Sequence, residues 1–222
     1  MIYYLDLFGT LVFAISGAMS AAHKKFDIFG AVFIGSVTAI GGGTIRDILL
    51  GITPVTWMND LNYFVAIALG VLITYLVPKV IWQLKSTLFL FDTIGISVFT
   101  IIGLNKALAM DIHPFVAIIM GMFTAVLGGV MRDTLSNDIP LIFKKEIYAT
   151  ACISGALLYL ALGHLGVQEN IILISTMLFI SIVRTGSVVF HLSLPRLNSY
   201  EPGDHAPPRD NDIVNKFLKK RM

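Results

Sequence analysis

Two Arg-Asp pairs, Arg46-Asp47 and Arg132-Asp133, lie inside apolar stretches long enough to cross a bilayer. Each pair ends a repeated glycine-rich segment, which reads GSVTAIGGGTIRD in the first copy and GMFTAVLGGVMRD in the second. In hydrocarbon, charged side chains and glycine-weakened helices are tolerated mainly where they face protein or a watery cavity. The two copies therefore indicate a membrane passage built from two related halves.

The glycine run at Gly41, Gly42 and Gly43 is the most unusual backbone feature of the chain. Each glycine costs about 0.8–1.0 kcal/mol relative to alanine in a helix interior, so the run predicts a kink or an unwound turn. Carbonyls freed at membrane depth can coordinate a partly dehydrated cation or the ammonium group of a small zwitterion. The alternative is close helix packing through stripes of small residues, which accounts for Gly35 and Gly121.

The predicted ion path follows both copies of the segment. Residues four apart share one helix face, so the glycines, threonines and charges form parallel stripes. The path is expected to run along Thr38, Gly41, Gly42, Gly43, Arg46, Asp47, Thr124, Gly128, Gly129, Arg132 and Asp133.

Two further aspartates open spans of their own. Asp6 begins the first apolar stretch and Asp92 begins the fourth. The expected topology puts Asp6 at the depth of Arg46 and Asp92 at the depth of Arg132, so we predict one Asp–Arg cluster near each mouth. Such pairs serve gating or selectivity, or they neutralise each other and fix the helices together; both uses remain open.

The composition requires a membrane protein. The chain has 222 residues, is 56% hydrophobic and only 14% charged, and has a mean hydropathy of +0.81. A soluble domain could not bury so much apolar surface. We predict an all-α membrane protein with seven transmembrane helices, at Tyr3–Ala22, Phe29–Leu50, Leu61–Val77, Leu88–Met110, Phe115–Leu135, Ile147–Leu162 and Ile171–His191.

An internal repeat organises these spans. The same spacing, 86 residues, separates Gly35 from Gly121 and Asp6 from Asp92. We expect one channel-like domain at 1–194, with repeat one at 1–80, repeat two at 87–166 and an extra helix at 171–191, followed by a flexible basic tail at 195–222. Because each repeat has three spans, the second is inverted relative to the first, as in transport folds.

Loop charges predict the orientation. Lysines cluster in alternate loops, at Lys24 and Lys25, then at Lys144 and Lys145. By the positive-inside rule the N-terminus is outside and the C-terminus cytoplasmic. Arg184, late in the last span, is expected to snorkel to the cytoplasmic surface.

Other classes of function lack support in the sequence. The net charge of +2 does not favour a nucleic-acid partner. His113, His164 and His191 have no metal-ligand spacing, and no hydrolase, zinc-peptidase or phosphate-loop motif occurs. We therefore expect no enzyme, no metal and no cofactor.

The paired motifs resemble those of the prokaryotic trimeric intracellular cation (TRIC) channels, a bacterial family also labelled glycine transporters. The likeness includes D-x-x-G-x-x-V-F at the start of each half and covers about residues 1–194. The resemblance implies a homotrimer in the prokaryotic inner membrane, with an hourglass-shaped, potassium-permeable pore in each subunit lined by glycine-kinked second and fifth helices. Membrane lipids, including a bound lipid, are the other expected partners. The rival function is a carrier of glycine or another small solute.

Overall fold

The computed structural model describes residues 1–76, 87–144 and 147–193, so the predicted tail at 195–222 lies outside the described residues. Within these ranges the protein is entirely helical, which confirms the predicted fold class. Its seven α-helices are α1 (Ile2–His23), α2 (Ile28–Leu49), α3 (Asn62–Leu76), α4 (Thr87–Leu108), α5 (Pro114–Leu135), α6 (Ala149–His164) and α7 (Glu169–Val189). Short 3-10 helices occur at Thr56–Asn59 and Leu141–Phe143.

The helices begin and end at local signals in the sequence. The Asp27 carboxylate caps α2 by accepting a hydrogen bond from the backbone N–H of Gly30 at 2.7 Å. Pro114 occupies the first turn of α5, where backbone N–H groups have no partner within the helix, so proline loses no helical hydrogen bond there. The five long helices α1, α2, α4, α5 and α7 are each apolar and long enough to cross a membrane, and α3 and α6 are shorter apolar helices.

Left-handed residues at the helix ends recur with the repeat spacing. Lys25 after α1 and Asp111 after α4 have φ values of 59° and 56°. Gly51 after α2 and Asn137 after α5 have φ values of 72° and 55°. Both pairs are 86 positions apart, so the two halves end their helices with the same backbone conformation.

The first helix of each half forms the centre of the molecule. In α1 and in α4, 72% of the membrane-length segment is buried, against 28% in α2. Helices α2 and α3 pack on α1, helices α5, α6 and α7 pack on α4, and α1 contacts α4 directly. The two glycine helices, α2 and α5, cross each other.

This crossing explains the central glycines. A Cβ atom at Gly42 would overlap the carbonyl oxygen of Thr124, and one at Gly128 would overlap the carbonyl oxygen of Thr38. Only glycine permits so close an approach of two backbones. The expected unwound turn is not present, because α2 and α5 both continue as helix through their glycines. Glycine has a poor helix propensity, and close packing of α2 against α5 offsets that cost in free energy. The glycines therefore serve packing rather than a functional break in the helix.

Side-chain contacts assign the loops to two opposite ends of the bundle. At one end, which we call the Tyr3 end, the Tyr3 hydroxyl donates to Asp60 at 2.6 Å. At the other, the Lys24 end, the Lys24 ammonium lies 2.8 Å from the Asp138 carboxylate. Successive helices run between these ends in alternate directions, so the second half is inverted relative to the first.

Candidate functional site: two buried charge clusters

The charge cluster at the Lys24 end is built around Arg132 of α5. Its guanidinium lies 2.8 Å from Asp92 of α4 through Nη1, and 2.8 Å from Asp133 through Nε. Nη1 also donates to the Ser16 hydroxyl of α1 at 2.6 Å. Arg132 and Asp92 are fully buried. One arginine thus joins three helices through charge-assisted hydrogen bonds, which are stronger than neutral ones.

Tyr148 and Arg184 extend this cluster toward the last helix. The Tyr148 hydroxyl lies 3.4 Å from Asp92 Oδ1, and the Arg184 guanidinium lies 4.7 Å from the Tyr148 ring centroid. Phe89 contacts the same guanidinium at 5.0 Å from its ring centroid. Arg184 is fully buried, so the prediction that it snorkels to the surface is wrong. Two aromatic faces stabilise the arginine inside the bundle, which removes the need to reach the interface.

Each Arg-Asp pair also fixes the loop that follows its helix. Asp133 Oδ2 accepts a hydrogen bond from the backbone N–H of Leu141 at 3.1 Å. Asp47 Oδ2 accepts one from the backbone N–H of Thr56 at 2.9 Å and another from its hydroxyl at 2.6 Å. In both halves, one carboxylate oxygen binds arginine and the other holds the start of a 3-10 helix.

The cluster at the Tyr3 end contains the same kind of Arg-Asp pair but has different neighbouring side chains. Arg46 Nη2 lies 2.8 Å from Asp47 Oδ1, and both side chains are buried. Lys106 at the end of α4 adds a second positive charge, 3.5 Å from Asp47 and 2.7 Å from the Thr56 hydroxyl. Two cations therefore share one carboxylate at this end.

Asp6 joins the Tyr3-end cluster indirectly. Its carboxylate accepts a hydrogen bond from the Tyr63 hydroxyl at 2.9 Å. It lines the same recess as Arg46 and Asp47 but lies beyond ion-pair distance of the arginine in the described part of the chain. The structure thus brings together Asp92, Arg132 and Asp133 by direct contact, whereas Asp6 lies near its predicted partners without bonding to them.

Two differences between the halves account for an orphaned group. Arg132 Nη1 bonds both Ser16 and Asp92. The repeat equivalent of Ser16 is Ile102, which has no donor or acceptor in its side chain, and Asp6, the equivalent of Asp92, does not bond the arginine. Among the described residues, Arg46 Nη1 accordingly has no hydrogen-bond partner. Arg132 Nη2 and Asp92 Oδ2 are likewise buried without a partner among these residues.

The remaining predicted site residues lie at helix contacts. Thr38 and Thr124 are buried and donate their hydroxyls to the carbonyls four residues earlier. A Cβ at Gly41 would meet the Met131 sulfur, while Gly43 has only the Arg46 guanidinium near it. Gly129 faces Tyr148, Asp92 and Arg132, so it is the one glycine of the second copy that borders a charge cluster.

Sequence reasoning missed the two tyrosines that touch the opening aspartates. Tyr63 binds Asp6 and Tyr148 binds Asp92, but they are 85 rather than 86 positions apart. The loop after Pro140 is one residue shorter than the loop after Pro54, so an ungapped repeat does not align them. An alignment that allowed one gap after the prolines would have paired Tyr63 with Tyr148 and Gly70 with Gly155.

These features define an integral, multi-pass membrane protein with an inverted repeat and a buried charge cluster toward each end. The chain belongs to the family described as "Glycine transporter", whose sequence profile matches residues 3–79 and 89–164. The two matched segments fall on the two halves of the bundle.

Solved structures of cation channels share this fold. A TRIC trimeric intracellular cation channel orthologue from Rhodobacter sphaeroides is 36% identical, with a TM-score of 0.79 over 86% of this chain and 98% of that chain. A second TRIC cation channel structure is 34% identical, with a TM-score of 0.78 over 89% and 98% of the two chains. Among curated relatives, the UPF0126 inner membrane protein YadS of Escherichia coli K12 is 38% identical over 91% of this chain and 99% of its own. The UPF0126 membrane protein of Vibrio cholerae is 42% identical over 88% and 82%. The structural neighbours therefore support a cation channel.

Proposed function

We propose that this protein is a homotrimeric, potassium-permeable channel with one pore in each protomer. The observation that carries the proposal is the pair of buried Arg-Asp clusters at opposite ends of a bundle that shares its fold with TRIC cation channels. The charges also hold helices together, but charged side chains at these depths are characteristic of proteins that pass ions or polar solutes.

The unpartnered atoms of the clusters favour hydration. Leaving a buried polar atom without a hydrogen bond costs about 1–3 kcal/mol, so such atoms are usually satisfied by water or ions where the protein supplies no bond. Arg46 Nη1, Arg132 Nη2 and Asp92 Oδ2 are groups of this kind, and each lies in one of the two clusters. Water at these sites would form the two ends of a permeation path.

The recess at the Tyr3 end supplies a route to the first cluster. It is lined by residues of α1, α2, α3 and α4 and of the loop between α2 and α3, among them Asp6, Thr10, Gly43, Arg46 and Asp47. The carboxylates of Asp6 and Asp47 would raise the local concentration of cations, while Arg46 and Lys106 would keep them from binding too tightly. From there the proposed path continues along α2 and α5, as the sequence predicts.

Orientation and assembly complete the proposal. The lysines at the Lys24 end support a cytoplasmic location for that end and an outside location for the N-terminus, in a prokaryotic inner membrane. Three protomers would associate through lipid-facing apolar surfaces, and membrane lipid would fill the rest of the perimeter. Mass photometry of the protein in lipid nanodiscs tests the trimer, with a monomer as the contradicting outcome.

A carrier of glycine or another small solute is the second candidate, because the matched family is described as a glycine transporter. Both functions would move a solute across the membrane without converting it chemically. They differ in rate, since a channel shows discrete single-channel openings and a carrier shows slow, saturable uptake.

Planar bilayers containing the purified protein distinguish these functions. With potassium on both sides, we expect discrete openings that glycine leaves unchanged. Absence of openings together with saturable uptake of labelled glycine into proteoliposomes would overturn the channel in favour of the carrier.

A further inference from the structure

The buried charges of the bundle form two clusters of matching composition. In the described part of the chain, the buried charged side chains all lie in the cluster at the Lys24 end or the cluster at the Tyr3 end. They are Asp6, Arg46, Asp47, Asp92, Arg132, Asp133 and Arg184. Four are carboxylates and three are guanidinium groups, and the partly exposed Lys106 supplies the fourth positive charge. Each cluster therefore contains two positive and two negative side chains.

The fourth positive charge comes from a different source at each end. At the Tyr3 end it is Lys106, near the end of α4. The repeat equivalent of Lys106 is Ser20, which is neutral and donates to the Ser136 hydroxyl at 3.0 Å. At the Lys24 end the second positive charge is Arg184 of α7, the helix outside the repeat. The two ends thus reach the same formal charge through residues that the internal repeat does not relate.

Lys106 contacts a carboxylate of its cluster directly, and Arg184 reaches one through Tyr148. Lys106 Nζ lies 3.5 Å from Asp47 Oδ1. The Arg184 guanidinium lies 4.7 Å from the Tyr148 ring centroid, and the Tyr148 hydroxyl lies 3.4 Å from Asp92 Oδ1. A charge acts several times more strongly over such distances in a protein than in bulk water, because the effective dielectric constant is lower. Each cation therefore contributes strongly to the electrostatic potential at its end of the bundle.

We propose that Arg184 balances the charge of the Lys24 end as Lys106 balances that of the Tyr3 end, and that the two residues together determine which cations the permeation path admits. The inference rests on the proposed function and assigns specificity-determining residues to it. Without its added cation, either cluster would carry one uncompensated negative charge. Coulomb attraction to that charge is twice as large for a divalent as for a monovalent cation at equal distance. Since conduction requires binding weak enough for the ion to leave, an unbalanced cluster would retain divalent cations and block the path.

Block by Mg²⁺ tests the balance at each end separately. Arg184→Met removes one positive charge, so Mg²⁺ added at the Lys24 end should block potassium current at a concentration about tenfold or more below that for the parent, the change produced by about 1.4 kcal/mol of binding free energy. Mg²⁺ added at the Tyr3 end should block this variant as it blocks the parent. Lys106→Met should show the opposite sidedness. Since Cys152 is the single cysteine, labelling of Lys25→Cys in a Cys152→Ser background with an impermeant thiol reagent identifies the Lys24 end.

Charge-conserving and compensating variants separate charge from packing. Arg184→Lys keeps the charge and loses the guanidinium contacts, so it should keep parental block although its stability falls. Arg184→Met combined with Asp133→Asn removes one charge of each sign, so it should return to parental block as well. Arg184→Gln replaces Arg184→Met if the methionine variant does not fold. In a protein that conducts, parental block from both ends in a folded, charge-removing variant of Arg184 would overturn the inference, and enhanced block in Arg184→Lys would do the same.

A binding measurement decides the matter in a protein that does not conduct. Mn²⁺ titrated into the purified protein in detergent loses its free-ion electron paramagnetic resonance signal when it binds, whether or not the protein transports anything. Additional Mn²⁺ binding in Arg184→Met, absent from the parent and from Arg184→Lys, would support the charge balance even if glycine uptake without openings showed that the channel function fails. Equal Mn²⁺ binding by all three folded proteins, again without openings, would overturn the balance.

Discussion

Arg132 Nη1 lies 2.8 Å from Asp92 Oδ1, and neither side chain has exposed surface. The contact joins α5 to α4, and Ser16 of α1 shares the same guanidinium nitrogen. A buried ion pair contributes little net stability relative to an apolar pair, but removing one partner leaves the other charge uncompensated.

Neutralising Asp92 should therefore be far more costly than neutralising its repeat equivalent. Asp92→Asn is expected to lower the free energy of unfolding by about 3–5 kcal/mol, because Arg132 loses one of its two carboxylates. Asp6→Asn is the matched control, since Asp6 bonds the Tyr63 hydroxyl and an amide oxygen can accept that bond too. Thermal melting in detergent measures both; equal losses in the two variants would contradict the asymmetry.

Adjacent glycines in α2 should respond oppositely to alanine. Gly42→Ala places a methyl group on the Thr124 carbonyl and should separate α2 from α5, with loss of folded protein. Gly43→Ala meets nothing closer than Arg46 Nη2 at 3.5 Å, which is ordinary contact. It should stabilise the helix by up to about 1 kcal/mol through propensity. Monodisperse yield and melting temperature of both variants report the difference, and a damaging Gly43→Ala would indicate a backbone role for that position.

Arg184 should not tolerate lysine. The guanidinium lies over both the Tyr148 ring and the Phe89 ring, and the compact, strongly hydrated ammonium of lysine cannot replace both contacts equally well. Arg184→Lys is expected to cost about 1–2 kcal/mol of stability. An arginine that snorkels to the surface would tolerate the change without loss of stability. An unchanged melting temperature would therefore contradict the buried position of Arg184. Lys25→Arg, at an exposed loop position, is the control for the reverse exchange.

Two lysines provide a test of burial. Lys106 is 24% exposed and binds both Asp47 and the Thr56 hydroxyl, whereas Lys24 is 32% exposed and binds Asp138, which is 48% exposed. Lys106→Met should cost about 1.5–3 kcal/mol, the range for hydrogen bonds to charged groups. Lys24→Met should cost less than about 1 kcal/mol and lose its effect in high salt. Similar, salt-sensitive losses in both variants would show that the two contacts are equally hydrated.

Asp60 provides a pH-dependent contact at the surface. Hydrogen bonds from the Tyr3 hydroxyl and from the backbone N–H of Asn62 hold the pKa of the Asp60 carboxyl below its ordinary value. A depressed folded-state pKa gives stability that is present above the unfolded value and is lost as the pH falls through the folded value. Tyr3→Phe should raise the pKa of Asp60, as carboxyl-labelled NMR titration would show. An unmoved titration would mean that the backbone bond alone sets it.

The apolar spans and the repeat could be predicted because they depend on local composition. Seven helices occur where the hydrophobic stretches indicate them, and the 86-residue spacing recurs in the helix caps and in the α2–α5 crossing. The expected depths bring Asp92 and Arg132 to one level, which made their contact predictable, but equal depth does not by itself produce a bond, because Asp6 and Arg46 share a level without one.

Contacts between distant parts of the chain could not be predicted from the local sequence in the same way. Gly41–Gly43 favour a broken helix by propensity, but a second backbone at Gly42 supplies the contacts that keep the helix intact. Arg184 stays inside because Phe89 of α4 and Tyr148, which precedes α6, contact its guanidinium, and contacts between distant parts of the chain leave no signal in the local sequence. Asp6 bonds Tyr63 rather than Arg46 for a similar reason.

Lys106 occupies the repeat position that Ser20 holds in the first half, where Ser20 only bonds the Ser136 hydroxyl. A pore with identical vestibules would pass equal currents in both directions under equal and opposite voltages. At this pair of equivalent positions one end carries an ammonium and the other a neutral hydroxyl, and Arg184 adds a cation to the Lys24 end that has no counterpart in the repeat, so the twofold relationship of the backbone does not extend to the electric field. In the proposed channel we therefore expect the current–voltage relation to rectify, and replacing Lys106 by serine should change the degree of rectification.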